Sequence, residues 1–226
     1  MLNRRAVSAA VACLVLVSAG CQEAARRRSG AAEAQGSLGP RAALVRWHHA
    51  LADGDKETYL ASFVGTEDEL VLCLAVFDVV QAGYAFRDAV LARHGDAGWR
   101  AIQQSDATRV GLFPRDPAWP MQITLVRADR LAFGYVPGGT VPLHLSETGG
   151  RWILHAAALV PPGHTAERAA YYLFRWAAAI RELADRVKEP GRFEPDAARD
   201  AFHKRLDATD YSAAETAVHA FDSFLH

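Results

Sequence analysis

The hydrophobic pattern of this chain changes its period twice, and this change limits the folds that the chain can adopt. From residue 41 to about residue 104, apolar side chains recur at intervals of three and four residues, which is typical of amphipathic helices. Between residues 108 and 159 they alternate with polar ones, as in strands that bury one face. Helical spacing returns at His164. Helices followed by a run of strands in one chain of 226 residues predict an α+β fold.

The first predicted helix covers residues 41–53, between a proline that fits a first turn and a glycine that fits a stop. A second, short helix follows Asp55, whose side chain can cap it, and turns Tyr59, Leu60 and Phe63 toward the core. The apolar face of the first helix consists of Leu44, Trp47, His48 and Leu51.

Thr66 and Glu69 form the pattern of a capping box in front of the longest helix. This helix is predicted to run to His94 and to close at Gly95. A short helical piece is expected over residues 97–104, so that the region between the capping box and the strands is almost wholly helical.

Five strands are predicted in the middle of the chain, separated by turns that contain glycine, proline or aspartate. Because the connections between the last four strands are too short for a crossover, neighbouring strands must run antiparallel and form a meander. The alternation requires one buried face, most simply under the long helices. The predicted strands are residues 108–113, 121–126, 130–136, 141–146 and 151–159.

Three helices are predicted after the sheet, over residues 164–188, 195–207 and 212–225. The last two are shorter and amphipathic. Their apolar anchors are Phe202, Leu206, Val218, Phe221 and Leu225.

The first twenty residues carry the pattern of an export signal. Arg4 and Arg5 precede an uncharged, mostly apolar run over residues 6–17, and small residues follow it. Because the run is short for a helix that crosses a bilayer, a cleaved signal is favoured over a transmembrane helix.

The run ends in Ser18-Ala19-Gly20-Cys21, which resembles the lipobox of bacterial lipoprotein signals. The resemblance implies cleavage before Cys21 and lipid on that cysteine. It also implies a place in the cell envelope, on the outer (periplasmic or extracellular) face of a bacterial membrane. Several acyl chains on one residue would make the attachment stable. The alternative is an ordinary signal peptide cut nearby, with Cys21 left as a free thiol.

The remaining chain divides into a tether, a body and an extension. Residues 21–39 are small and polar, as in a flexible tether. Residues 40–160 form the predicted α+β domain, and residues 161–226 form a helical extension. Once the signal is removed and Cys21 is lipidated, Cys73 is the one cysteine left, and its apolar surroundings predict a buried, unreactive thiol.

The segment over residues 50–63 reads A-L-A-D-G-D-K-E-T-Y-L-A-S-F and resembles the opening of NTF2-like (SnoaL-like) domains. Gly54-Asp55 matches the turn of that family, and Phe63 matches the aromatic residue that ends its second helix. The resemblance implies a curved antiparallel sheet wrapped around the long helix as a cone, with a cavity at the open end. The helices after Pro161 are then an addition, which can plug the cone, cover the outer face of the sheet, or contact another subunit.

Two histidines on neighbouring strands are the first site candidates. If Ser146 pairs with Arg151 across the turn, His144 lies opposite Ile153 and His155 lies diagonal to it, on the face away from the core. Such a group can bind an anionic ligand or act as an acid/base pair, because histidine titrates near neutral pH. The alternative is a solvated outer face, or a surface that a C-terminal helix covers.

A set of aromatic residues is the second candidate site. Together with Arg151, the side chains of Tyr84 and Tyr135 are candidate contacts for an apolar ligand, although such a set more often belongs to the core. The other aromatic members are Phe86, Phe133, Tyr171 and Tyr172.

Charge and motifs exclude several functions. The chain has 25 basic and 26 acidic residues, a balance that gives no electrostatic reason to expect nucleic-acid binding. The sequence contains no CxxC, HExxH, EF-hand, GxSxG or P-loop pattern, so no metal or other cofactor is predicted.

We expect a membrane-anchored, non-catalytic domain that binds a small apolar ligand or an envelope protein. The alternatives are a cone-pocket isomerase or hydrolase that uses the strand histidines, and a structural subunit of an oligomeric assembly.

Overall fold

The computed structural model of the chain describes residues 39–104, 115–136 and 142–189. Within these residues the fold is α+β, with four α-helices and one mixed five-stranded sheet. The predicted strand over residues 108–113 and the predicted helices over residues 195–207 and 212–225 lie outside the described residues, as does Cys21.

The two N-terminal helices form as the capping residues predict. Helix α1 (Pro40–Asp53) ends at Gly54, which takes the left-handed conformation at φ 75°. Helix α2 (Lys56–Leu60) starts at Asp55, whose carboxylate accepts a hydrogen bond from the Thr58 amide at 3.0 Å. Hydrogen bonds from the Thr58 side chain and from its amide lower the pKa of Asp55 below its usual range.

Strand β1 (Phe63–Val64) leads into helix α3 (Glu67–Gln104). The predicted capping box is present: the Thr66 amide donates to the Glu69 carboxylate at 2.8 Å, and the Glu69 amide donates to the Thr66 hydroxyl at 3.4 Å. The backbone leaves helical geometry at Gly95, with φ 63°, where the sequence predicts the break.

The second half of the fold contains four strands, two short 3₁₀ helices and helix α4. Residue Thr165 caps α4 by accepting a hydrogen bond from the Arg168 amide at 3.2 Å. In chain order these elements are a 3₁₀ helix (Trp119–Gln122), β2 (Thr124–Ala128), β3 (Leu131–Tyr135), β4 (Leu143–Thr148), β5 (Arg151–His155), a 3₁₀ helix (Ala156–Leu159) and α4 (Ala166–Lys188).

The strand order in the sheet is β1-β5-β4-β3-β2. Strands β2 to β5 are antiparallel neighbours, which confirms the meander for this part of the chain. The expectation of a purely antiparallel sheet is wrong, because β1 pairs with β5 in parallel, with Phe63 opposite Leu154. Phe63 therefore lies in a strand and not on the second helix. A two-residue strand is too short to show a hydrophobic period.

The last strand is shorter than predicted. It ends at His155, and the chain continues as the 3₁₀ helix Ala156–Leu159. The three consecutive alanines of that segment have low strand propensity and no branched side chain to pack on a pleated surface, which explains the early end.

The helices lie in a different arrangement from the expected cone. Helix α1 packs on the core face of the sheet, where the Leu44 side chain approaches the backbone of Gly134 on β3. The long helix α3 packs mainly along α4 and meets the sheet at its edge, beside β1. An Arg181–Asp78 ion pair at 3.1 Å joins α3 to α4. The sheet therefore does not use the long helix as its main packing partner.

Gly65 sets the distance between the start of α3 and the 3₁₀ helix after β5. A Cβ atom at this position would lie 2.8 Å from the Cβ of Ala156 and 2.7 Å from the carboxylate of Glu69. We expect Gly65→Ala to lower the free energy of unfolding by about 1–3 kcal/mol, as overpacking does in a tight contact. Urea denaturation followed by circular dichroism measures this loss.

Ala156→Gly provides the matched control for this prediction. Since it removes the methyl group nearest to the new Cβ, the double variant Gly65→Ala/Ala156→Gly should recover part of the lost stability. Additive losses in the double variant would contradict a direct steric contact.

Candidate functional site

The two faces of the sheet differ in chemistry. The face toward α1 is buried: Leu145 is 1% exposed and Trp152 is 4% exposed. The Arg127 guanidinium lies 5.0 Å from the ring centre of Trp152 and 3.9 Å from the Glu147 carboxylate. These large side chains and α1 fill the core face, so the candidate site lies on the opposite face.

We call the opposite face the open face. It comprises one residue of β1 and three residues of each of the other four strands, thirteen in all, and the alternation of the strands places them together. Its members are Val64, Thr124, Val126, Ala128, Leu131, Phe133, Tyr135, His144, Ser146, Thr148, Arg151, Ile153 and His155.

The register of β4 and β5 differs from the prediction by two residues. Thr148 pairs with Arg151, and Ser146 pairs with Ile153, so the prediction of Ser146 opposite Arg151 and His144 opposite Ile153 is wrong. The reason is the turn. Gly149 and Gly150 both have positive φ, at 59° and 78°, and form a two-residue hairpin loop where a four-residue turn was expected.

The corrected register still leaves both histidines on the open face and joins one of them to a serine. The Nε2 atom of His155 lies 2.7 Å from the Oγ atom of Ser146, across a diagonal of the hairpin. His144 is exposed and packs edge-on against Phe133, with 5.0 Å between ring centres. The shift also moves Arg151 to the hairpin end of the face, two residue pairs away from the Ser146–His155 contact along the strand.

A hydroxyl hydrogen-bonded to an imidazole is the chemistry of a nucleophile and its base. Such a pair works when a third group orients the imidazole and donors stabilise the developing oxyanion. Among the described residues, no carboxylate contacts His155, and the pair lies on a sheet face rather than in the core. The sequence did not identify Ser146 as a site residue, because its contact depends on the two-residue loop.

The three candidate ligand contacts do not share one site. Tyr135 is 41% exposed on the open face, and Arg151 is exposed on the same face. Tyr84 is 1% exposed within the helical layer, where the Arg115 guanidinium lies 4.1 Å from its ring centre. Burial raises the pKa of Tyr84 to about 12, and the neighbouring Arg115 and Arg87 oppose that rise. Tyr84 is thus a core residue.

The other residues that could carry chemistry lie in the core or do not form a group. His48, on the buried side of α1, is 1% exposed and stacks on Trp119 with 5.3 Å between ring centres, so it is a core residue. No group of three or more His, Cys, Asp or Glu side chains that could hold a metal ion occurs in the part of the chain that the structure describes. Among the described helices, α3 is long and apolar enough over Glu67–Ile102 to span a membrane, and most of its apolar window is buried against the rest of the chain.

Comparison with protein-family models, with curated proteins and with solved structures gives no match for this chain.

Cys73 is fully buried in α3, as its surroundings in the sequence predict. Burial raises the pKa of its thiol to about 12, and the Glu69 carboxylate adds to the rise. The pKa of Tyr59 beside it is also raised well above 10 by burial, while contact with the Trp47 side chain opposes the rise. Both groups are therefore held in their neutral forms at physiological pH.

We expect Cys73 to resist thiol reagents in the folded protein. With a pKa raised from 9.0 to about 12, its thiolate fraction at pH 8 falls about a thousandfold. In a Cys13→Ser/Cys21→Ser variant, Ellman's reagent should label no thiol at pH 8 until urea unfolds the chain, and then one thiol per chain. Rapid labelling of the folded protein would contradict the burial.

The same pKa values predict how stability changes at high pH. The buried neutral thiol and phenols contribute fully below about pH 9, and their contribution is lost as the pH rises toward 12, because the unfolded chain ionises first. Replacement Cys73→Ala should make this loss shallower. An unchanged slope would mean that the thiol does not titrate differently in the two states.

Proposed function

We propose that this chain is an exported lipoprotein, anchored through lipid on Cys21, whose α+β body is a non-catalytic binding domain. The sequence pattern of residues 1–21 supports the anchor. The open face supports the binding role, since it presents apolar side chains, Arg151 and two histidines on one continuous surface.

The observation that carries the binding proposal is the composition of the open face. None of its thirteen positions is acidic, although the chain contains 26 acidic residues. The face carries the cation Arg151 and two histidines beside exposed Leu131 and Tyr135. A surface of this kind fits an amphiphile that combines apolar groups with negative charge.

The buried face of the sheet argues for an exterior site. Leu44 and Leu51 of α1 are 0% exposed, and Leu143 and Leu154 of the sheet are 4% and 1% exposed. A ligand between α1 and the sheet would have to displace these side chains from a close-packed core. The open face offers contacts without that cost.

We also propose an NTF2-like arrangement for residues 40–160. The Gly54-Asp55 turn, the two helices before the sheet and the antiparallel strands β2 to β5 support it. The position of α3 along α4, rather than inside the sheet, departs from the expected cone.

The alternative is a hydrolase that uses Ser146 and His155. One contact favours it, the 2.7 Å hydrogen bond between these two side chains. It lacks a carboxylate to orient the imidazole within the described residues. A histidine without such a partner is not fixed in the tautomer that accepts a proton from serine. The binding proposal therefore accounts for this face better.

The binding proposal predicts that the open face takes up an anionic amphiphile, for which dansylaminoundecanoic acid is the probe. Leu131→Asp should weaken its binding at least tenfold, because the new charge removes apolar contact and repels the carboxylate. Met121→Asp is the matched control, since Met121 is 60% exposed but lies outside the open face. Fluorescence titration of the purified protein measures both dissociation constants.

Equal weakening by the two substitutions, or none by Leu131→Asp, would contradict the open face as the binding surface. If the ligand is an envelope protein instead, benzoylphenylalanine in place of Leu131 should crosslink it in living cells, and the same group in place of Met121 should not.

The anchor proposal predicts that Cys21→Ser moves the protein out of the membrane fraction, because the acyl chains supply the stable attachment. Mass spectrometry of the native protein should find an acylated cysteine at its new N-terminus. An unmodified thiol at Cys21, or membrane attachment of a Cys21→Ser protein that has lost residues 1–20, would contradict the anchor.

A further inference from the structure

The open face exposes more large apolar side chains than any other surface of the described residues. The described residues include seven exposed large apolar side chains, and four of these belong to the open face. Their exposed fractions are 46% for Val64, 37% for Val126, 47% for Leu131 and 41% for Tyr135. Soluble domains rarely leave such a surface uncovered, so an occupant is expected.

The charges on the face narrow the chemistry of that occupant. The face has no acidic residue, while Arg151 supplies a positive charge and the two imidazole rings supply nitrogen atoms that can form hydrogen bonds. The occupant should therefore have an apolar side and acidic groups, with few or no basic ones.

The chain contains a segment with these properties beyond Glu189. Residues 206–226 include the acidic residues Asp207, Asp210, Glu215 and Asp222, and no lysine or arginine. Within them, Val218, Phe221 and Leu225 have helical spacing. At 100° per residue, a helix over residues 212–225 would place Glu215 and Asp222 along one flank of this apolar stripe.

The dimensions allow this segment to reach and cover the face. A helix of 14 residues is about 21 Å long. Five strands at about 4.8 Å span about 19 Å between the outer two. The 22 residues between Glu189 and Ser212 can bridge about 50 Å even with residues 195–207 helical, because the other nine extend about 30 Å. A domain of this size is about 36 Å across.

We propose that residues 212–225 dock on the open face of the same chain as an amphipathic helix, with Phe221 on the apolar side chains and the acidic flank toward Arg151. The segment is then an internal ligand, which an external amphiphile must displace. This inference shares its surface with the proposed function, but it does not require that any external ligand exist.

Photocrosslinking of the purified full-length protein tests the docking directly. Benzoylphenylalanine replaces Tyr135 on the open face or, as a control, Met121 outside it. Trypsin cuts after Arg205 and leaves residues 206–226 as one peptide. We expect position 135 to crosslink to that peptide within the monomer, independently of protein concentration, and position 121 not to do so.

Two substitutions in the segment make the test specific. Phe221→Asp should lower the yield of the crosslink at least fivefold, because it places a charge in the apolar stripe. Thr216→Asp adds the same charge on the opposite side of the predicted helix and should leave the yield unchanged.

Three outcomes would overturn the inference. They are the absence of a crosslink to residues 206–226, a crosslink found only in a dimer, and a yield that Phe221→Asp leaves unchanged. The dansylaminoundecanoic acid titration separates the two proposals. Tighter probe binding in Phe221→Asp supports both, whereas an internal crosslink without any probe binding supports the docking and contradicts the proposed function.

Discussion

The packing of α1 against one face of the sheet is the interaction on which the rest of the structure depends. Leu44 and Trp47 are buried there, and Leu44 packs beside Gly134 of β3. The Arg41 side chain adds hydrogen bonds to the carbonyl oxygens of Pro120 and Ile123, which hold the approach to β2 against the start of α1. This contact buries most of one face of the sheet in the core, with Arg127 and Glu147 at its exposed margin.

The exposure of the opposite, open face follows from this packing. Because α3 packs mainly along α4 and meets the sheet beside β1, Leu131 and Tyr135 stay exposed within the described residues. The same face carries Arg151, the histidines and Ser146, all of which the pleat directs away from the core. The exposure of these side chains is thus a consequence of where the helices pack, and the proposed binding role depends on it.

Local signals predicted much of this fold. The Asp55 cap, the Thr66–Glu69 capping box and the break at Gly95 were all predictable because each depends on residues within one turn. The parallel pairing of β1 was not, because a two-residue strand joins a partner ninety residues away and leaves no period in the sequence.

The sequence predicted which face of the sheet carries the candidate site, but it did not predict which of the site's side chains contact each other. Alternation placed His144 and His155 on the outer side correctly, since a shift of two residues preserves the face. The same shift changed which residues touch. A Gly-Gly pair can close either a two-residue or a longer loop, and only the structure showed that His155 contacts Ser146 while Arg151 lies at the hairpin end.

One pair of substitutions tests most directly whether the sheet has one buried face and one open face. Leu131 and Leu145 lie on adjacent strands, offset by one position, and are 47% and 1% exposed. Leu145→Asp should cost more than about 4 kcal/mol in urea denaturation, because it buries a carboxylate among apolar side chains, whereas Leu131→Asp should cost at most about 2 kcal/mol, because a segment docked over it can detach without opening the core. Equal losses, or a larger loss for Leu131→Asp, would contradict the account.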